Sequence, residues 1–323
     1  MTINVKRITQ KYGILLILIV MSIVFAIMSP AFISIPNILN ILNQTAIWGI
    51  MALGMTFVII AKGIDLSVGS VLAFSGLVAA SLAQVPAQMR LYQNLPQLPL
   101  IIPILAGLFI GTLCGAVNGA LIAFTKIPAF IATLGMMTVV RGFALIYSNA
   151  RPVSNLVPAM NAIGSRVFGI PVPILIYLLM FIVSYILLNK TRFGKNTFAI
   201  GGNITAAEVS GVNVPKSLVL IYAYCGLLAG IAAIVFAGRV GSVHPGAADG
   251  YELTAIAATT IGGTSHSGGI GTIGGALIGA LVLSVMRNGM TLLGFSPYSQ
   301  KILEGVIIVG AVVIDMRKNA RKG

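Results

Sequence analysis

Long apolar segments alternate with short polar loops along the whole chain. A helix needs about 20 apolar residues to cross the hydrocarbon core of a bilayer, and most of these segments approach that length. The pattern predicts membrane spans at residues 12–28, 44–61, 68–82, 100–123, 130–147, 171–188, 218–237, 271–293 and 299–314. A further segment, 252–263, is shorter and ends in glycine. The sequence therefore predicts an all-α, multi-pass membrane protein with about ten transmembrane helices.

The segment before the second span has a different pattern. Residues 31–44 place Phe32, Ile38 and Leu42 at helical spacing with polar residues between them. That spacing is typical of a helix that lies along the membrane surface instead of crossing it.

A polar loop at residues 190–216 divides a single transmembrane domain, 1–323, into a first half (1–189) and a second half (217–323). Inside the loop the sequence predicts a short helix over 204–210. Its ends are marked by an asparagine that can cap the first turn and a glycine that can adopt the left-handed conformation. A helix this short is not stable alone in water, so it either turns the chain or docks on a partner surface.

Composition agrees with the membrane prediction. Hydrophobic residues make up 58% of the 323 positions and charged residues 8%, whereas soluble domains carry about 25% charged residues. The formal net charge of +14 would suggest a nucleic-acid partner in a soluble protein. Here the basic residues concentrate in the central loop and at both ends, as cytoplasmic segments do. Both termini are therefore predicted to be cytoplasmic, with an even number of spans and no nucleic-acid partner.

Two stretches of the chain repeat each other weakly. GIDLSVGS at 63–70 parallels GYELTAIA at 250–257, and NGALI at 118–122 parallels IGALV at 278–282. If spans 2–5 correspond to spans 7–10, the shift is five spans. An odd shift inverts the second copy, which is a common transporter architecture. The repeat also supports 252–263 as the eighth span.

Four glycines follow one another at intervals of four residues in the fourth span: Gly107, Gly111, Gly115 and Gly119. Small residues on one helix face allow a second helix to approach closely in lipid. The alternative interpretation is a thin wall beside a substrate path.

The sequence contains no constellation typical of an enzyme, cofactor or metal site. It lacks a phosphate-binding GxxxxGK[ST] motif, and the neighbouring Ser265 and His266 are not part of a GxSxG elbow. Cys114 and Cys225 both fall in apolar segments and are too few for a metal site or a disulfide framework.

Two acids near the membrane core are candidates for structural or gating roles. Asp65 is predicted to cap the third span, with ion coupling as the alternative. Glu252 is predicted to pair with Arg239 or Arg287, and Glu304 most simply with Lys301 one turn before it.

A path for a small polar solute needs hydrogen-bonding side chains among the apolar spans. The available ones are Gln44, Thr45, Asn118, Thr133 and Asn288. Each of them could equally join two helices by hydrogen bonds.

Four motifs together give the chain a family resemblance: GIDLSVGSVLAFSG, PAFIATLG, NKTRFGKNTFAIGGN with AAEVSGVN, and GYELTAIAATTIGGTSHSGG. They closely resemble the permease subunits of bacterial ATP-binding-cassette importers for monosaccharides, of the ribose, galactose, allose and xylose kind. The similarity covers essentially the whole chain.

The resemblance implies a fold like that of the cobalamin-importer (type II) permease, in the bacterial cytoplasmic membrane. It also implies a dimer of permeases, a cytoplasmic ATPase that binds ATP and magnesium, and a periplasmic or lipid-anchored protein that delivers the sugar. The permease itself would catalyse no chemistry and would work by alternating access. The main alternative is an ion-coupled secondary transporter with Asp65 or Glu252 as the coupling group, and a membrane scaffold without transport is a third.

The resemblance assigns the central loop to docking on the ATPase. The residues carried over for this role are Asn203, Ala206, Ala207, Glu208, Ser210 and Gly211. A bulky charged residue at position 207 is accordingly expected to abolish transport and to leave assembly of the dimer intact.

Overall fold

The computed structural model describes residues 5–85 and 90–320, with side chains described from Gly13 onward, except those at 314, 315 and 317–320. The basic side chains behind the prediction of cytoplasmic termini lie outside these described side chains: Lys6, Arg7, Lys11, Arg317, Lys318, Arg321 and Lys322.

Most of the described chain is helical. The helices are α1 (Val5–Met28), α2 (Ile35–Ile60), α3 (Val68–Leu82), α4 (Ile101–Thr125), α5 (Ala129–Tyr147), α6 (Pro158–Asn161), α7 (Val172–Lys190), α8 (Arg192–Gly202), α9 (Ile204–Val209), α10 (Val214–Val240), α11 (Tyr251–Ile261), α12 (Ile273–Leu292) and α13 (Pro297–Ala320). Short 3-10 turns lie at Pro30–Ile33 and Ala162–Gly164. One small antiparallel hairpin pairs β1 (Arg166–Val167) with β2 (Ile170–Pro171), with Val167 opposite Ile170.

Six of the described helices are long and apolar enough to cross a membrane, namely α2, α4, α5, α7, α10 and α12. The apolar parts of α1 and α3, Gly13–Met28 and Val68–Leu82, are shorter. Helix α11 has 11 residues, which rise only about 16 Å, against a hydrocarbon core of about 30 Å. The structure thus has the multi-pass helical architecture that the sequence predicts, with six helices of spanning length and hydropathy among the residues whose side chains are described.

The surface helix predicted over 31–44 is not a separate element. After the 3-10 turn, α2 begins at Ile35 and continues without a break for 26 residues. Pro36 falls in its first turn, where a missing N–H does no harm, and no glycine or proline interrupts the next three turns. Every residue from Thr45 to Ile60 is buried. A helix that is apolar on all sides belongs in the centre of the protein, and α2 lies there.

The packing of two groups of four helices is reciprocal. Helices α2 to α5 have the order long, short, long, long, and α10 to α13 repeat it. Helices α3 and α4 pack on α10, while α11 and α12 pack on α2. Within the groups, α3 contacts α4 and α5 as α11 contacts α12 and α13. Each group therefore buries the first helix of the other.

The glycines of α4 form its contact with α10. Gly107, Gly111, Gly115 and Gly119 are all buried. A side chain at Gly111 would overlap Gly226 and Gly230 of α10, and one at Gly115 would overlap the carbonyl oxygen of Tyr222. The two backbones therefore lie in direct contact, which is how small residues hold helices together in lipid.

Candidate functional site

The short helices α3 and α11 begin next to each other inside the protein. Gly69, in the first turn of α3, lies against the carboxylate of Glu252, in the first turn of α11, and against the carbonyl oxygen of Ala248. A Cβ atom at Gly69 would collide with both groups. Each helix is reached through a non-helical segment, 61–67 before α3 and 241–250 before α11. We call the meeting point of these two segments and two helix N-termini the junction.

From the junction the two short helices run to opposite sides of the protein. The segment after α3 pairs Gln84 with Leu156, and the start of segment 241–250 pairs Val243 with Val153 of the same strand-like stretch. The end of α3 and the start of segment 241–250 therefore lie on one side.

The other side is defined by the end of α2. The N–H of Gly269, in the loop after α11, donates to the carbonyl oxygen of Ile60 at 2.8 Å. The end of α11 and the start of segment 61–67 therefore lie together. Helices of 15 and 11 residues rise about 22 and 16 Å, so their joined ends lie near the middle of a bilayer.

Three of the predicted residues converge on segment 61–67. Asp65 is 1% exposed, and its Oδ1 accepts hydrogen bonds from the N–H of Ser67 at 2.8 Å and from its hydroxyl at 2.6 Å. Asn118 donates to the Ser67 hydroxyl at 2.9 Å. Thr133 donates to the carbonyl oxygen of Ile64 at 3.1 Å. Helices α4 and α5 thus hold the segment that leads into α3 in place.

The prediction that Asp65 caps the third span is wrong in its register. The N-cap of α3 is Ser67, whose side chain makes no capping bond. Asp65 instead bonds the backbone two residues later, which is the Asx-turn that a short carboxylate favours. Its charge still lies close to the positive end of the α3 dipole.

Glu252 has neither of the partners predicted for it. Its Oε1 accepts from the N–H of Gly250 at 3.2 Å, and Oε2 has no hydrogen-bond partner among the described residues. Arg141 of α5 lies close by. It donates to the carbonyl oxygens of Pro245 and, at 3.0 Å, Ala247, and its charge acts on Glu252.

Glu304 pairs with Arg287 of α12, not with Lys301. Lys301 is exposed, whereas Glu304 faces α12 and is 7% exposed. A carboxylate inside the protein is stabilised by a partner on the facing helix more than by an exposed lysine in its own helix. Thr254 of α11 joins the pair, donating to Glu304 at 2.7 Å and accepting from Arg287 at 2.9 Å.

The other predicted path residues are Gln44, Thr45 and Asn288. They lie away from the junction, and they do not bond one another. Gln44 donates to Asn40 at 3.3 Å, and Thr45 donates to the carbonyl oxygen of Ile41 in its own helix. Asn288 and Asn37 exchange two hydrogen bonds of 2.9 and 2.8 Å that join α12 to the start of α2. The five residues therefore do not line one common channel in this conformation.

Sequence reasoning did not select Arg141, Arg287 or Thr254 as site residues. An arginine in an apolar span costs free energy, so its presence there was the sequence signal that could have marked it as a site residue. Arg141 and Arg287 both lie in apolar helices, and both bond the second half of the chain near the junction.

The predicted helix in the central loop is present as α9. Asn203 caps it, with Oδ1 accepting from the N–H of Ala206 at 3.0 Å, and Gly211 follows with a φ of +86°. Ile204 is 48% exposed and Val209 is 85% exposed. Ala207 is 3% exposed and belongs to the hydrophobic core. A charged residue at position 207 would therefore disturb packing inside the protein, so it does not isolate a docking role as expected.

Helix α9 is connected through α8 to the start of segment 61–67 and to the loop after α11. The preceding helix α8 ends at Gly201 and Gly202, which pack against Ile60 and Gly269. Lys62 reaches the carbonyl oxygen of Gly202 at 3.4 Å. Ile60 leads into segment 61–67, and Gly269 lies in the loop that follows α11. A displacement of α9 would therefore act on both short helices.

Apolar spanning helices, an internal junction of two half-helices and an exposed capped helix together define a multi-pass membrane transport protein. The chain belongs to the family described as branched-chain amino acid transport system / permease component, whose sequence profile matches residues 37–312.

Three similar proteins are import permeases. The chain is 42% identical to the ribose import permease protein RbsC of Escherichia coli (strain K12) over 309 residues, which is 94% of this chain and 93% of the relative. It is 41% identical to the protein of the same name from Bacillus subtilis (strain 168), over 98% of this chain and 96% of the relative. It is 37% identical to the galactose/methyl galactoside import permease protein MglC of Escherichia coli (strain K12), over 97% of this chain and 96% of the relative. No solved structure matches the chain.

Proposed function

We propose that this chain is the membrane-spanning subunit of an ATP-driven importer that carries a monosaccharide into the cytoplasm by alternating access. The observation that carries the proposal is 42% identity to a ribose import permease over 94% of the chain. The family description names branched-chain amino acids, but the sugar permeases match nearly end to end. Two kinds of sugar permease, for ribose and for galactose, support a sugar over an amino acid.

In this proposal α9 is the docking element for a cytoplasmic ATPase, which binds the ATP and magnesium. The exposed side chains of Ile204, Glu208 and Val209 form the contact surface, with Asn203 and Gly211 fixing its ends. Two exposed apolar residues on a six-residue helix at the surface support a protein partner, because such a helix needs one. Ala206 and Ser210 lie at the edge of this surface, and Ala207 positions it from within.

The remaining parts of the assembly are a second copy of this permease and a periplasmic or lipid-anchored protein that delivers the sugar. The membrane is the bacterial cytoplasmic membrane, with both termini inside and ten spans of the type II arrangement. The opposite directions of α3 and α11 support the inverted repeat, because corresponding elements of such repeats run in opposite directions.

Transport follows from the contacts of α9. When the ATPase closes on ATP, it displaces α9 together with α8. The contacts of Gly201 and Gly202 with Ile60 and Gly269 pass the displacement to segment 61–67, which leads into α3, and to the loop that follows α11. The two half-helices then change which side of the membrane the path opens to, and the permease itself makes and breaks no covalent bond.

An ion-coupled secondary transporter is the second candidate, and one observation favours it. Glu252 has a buried carboxylate oxygen without a partner among the described residues, as a proton carrier would need. Asp65 suits that role less, because Ser67 already satisfies its Oδ1 twice.

The docking proposal is tested by purifying the chain with its ATPase in mild detergent. Val209→Asp should lower the co-purifying ATPase at least about tenfold, as the loss of a central interface residue does. Phe168→Asp is the matched control, because Phe168 is also an exposed apolar residue but lies in the hairpin at the other end of α7. Equal recovery of the ATPase with Val209→Asp and Phe168→Asp would contradict docking through α9.

A further inference from the structure

A cavity of about 460 Å³ opens between α11, α12 and α13, directly beside the junction. Pockets for small molecules in proteins have volumes of about 300 to 1,000 Å³, so a single sugar ring is small enough to enter. The polar residues around it are Asp249, Tyr251, Glu252, Arg287, Gln300, Lys301 and Glu304. None of the residues predicted as path residues lines this cavity.

One wall of the cavity is the ion pair of Arg287 with Glu304, in which Arg287 keeps N–H donors that these bonds do not use. Arg287 uses only Nη2 in its bonds to Thr254 and Glu304. An arginine has five N–H donors, and the side chain is 20% exposed. Its guanidinium lies 4.7 Å from the ring centre of Trp48, which keeps its plane in place. Donors that are rigid and unused are suited to a hydroxylated solute.

The wall formed by α13 offers an acceptor. Glu252 also lines the cavity, but its buried Oε2 lies against Gly69 of α3. Gln300 donates from Nε2 to Thr291 at 3.1 Å, and its Oε1 accepts no bond from a described residue. The cavity thus presents donors and acceptors on different elements. The charges of the three acids and two bases around the cavity nearly cancel, which favours a neutral solute over an ion.

We propose that this cavity is a contact site for the neutral monosaccharide on its passage through the permease. The inference rests on the proposed import function and adds to it the location of one sugar contact. The sugar hydroxyls accept from Arg287 and donate to the Gln300 carbonyl oxygen. Because the site joins the junction, the movement of α11 opens and closes it.

The test fills the cavity from a glycine. Gly305 of α13 lines the cavity, and a Cβ atom there meets nothing within 4 Å, so Gly305→Leu enters open space. Gly310→Leu on the same helix is the matched control, because it also meets nothing within 4 Å and does not line the cavity. Uptake of ribose and galactose is measured in proteoliposomes with the ATPase and binding protein. Gly305→Leu should lower uptake at least about tenfold, and Gly310→Leu should stay within about twofold.

A second variant keeps the test decisive if Gly305→Leu fails to assemble. Gln300→Leu removes the amide at nearly constant volume and should raise the sugar concentration for half-maximal uptake several-fold. Uptake equal to that of the unaltered protein in every assembled variant would overturn the inference and leave the import proposal standing. Absence of sugar uptake by the unaltered complex would instead overturn the import proposal itself.

Discussion

At the scale of single residues, hydrogen bonds to the backbone and to the Ser67 hydroxyl hold segment 61–67 of the junction in place. Asp65, Asn118 and Thr133 come from three different elements, and all three bond segment 61–67. The sequence indicated these residues as polar groups in apolar surroundings. It did not indicate that they meet, because the meeting depends on how α4 and α5 pack around α3. The same holds for Ala207, whose burial depends on neighbours distant in sequence.

Asn203 and Gly211 are residues whose structure the sequence does predict. A cap depends on a side chain and an N–H three residues apart, and a glycine with positive φ depends only on its own backbone. Both features are local, and both are present at α9.

The glycine contact between α4 and α10 predicts a residue-scale effect on stability. Gly115→Ala places a methyl group against the carbonyl oxygen of Tyr222 and should destabilise the protein by about 1–3 kcal/mol. Gly135→Ala in α5 is the control, because a Cβ atom there meets nothing within 4 Å. Thermal unfolding in detergent measures both. A Gly115→Ala protein as stable as the Gly135→Ala protein would contradict the close contact.

At the scale of elements, the sequence predicts helices well and their interruptions less well. Apart from α2, hydropathy located the long apolar helices within a few residues. It divided α2 incorrectly, because polar residues such as Asn37, Asn40 and Gln44 resemble a surface segment. Asn37 in fact bonds Asn288. Hydropathy also could not show that α3 and α11 start side by side, since that follows from tertiary contacts alone.

The ion pair between α12 and α13 predicts an effect on how these elements associate. Glu304→Gln leaves Arg287 without its charged partner at a largely buried site and should cost about 3–5 kcal/mol of stability. The double replacement Arg287→Met with Glu304→Met removes both charges and should recover most of that loss. Unfolding of the Glu304→Gln variant in detergent measures that loss, and unfolding of the Glu304→Met, Arg287→Met and double variants measures the coupling. Additive effects would show that the two side chains do not interact.

At the scale of the whole molecule, the repeat is the feature that links sequence to mechanism. The short matches at 63–70 and 250–257 correspond to the places where α3 and α11 begin at the junction. These helices run in opposite directions, and each group of four helices packs around the first helix of the other. The sequence motifs therefore predicted an equivalence of the two halves. Only the structure shows that the equivalent segments touch.

Contacts of Gly201 and Gly202, at the end of α8 next to α9, with Ile60 and Gly269 give the proposed docking surface one route to the junction. Movement of α9 can reach the junction through few intermediate residues, because the route passes through backbone contacts at two loops. This short route supports the proposal that an ATPase, and not an ion, drives transport.

The most direct measurement is uptake of labelled ribose, galactose and leucine into proteoliposomes that hold this chain with its ATPase and binding protein. ATP is supplied to the ATPase side without any ion gradient in one set, and an ion gradient is supplied without ATP in the other. We expect uptake of ribose or galactose with ATP alone, and none of leucine. Sugar uptake that follows the ion gradient and needs no ATP, or ATP-driven uptake of leucine in place of sugar, would contradict the assignment.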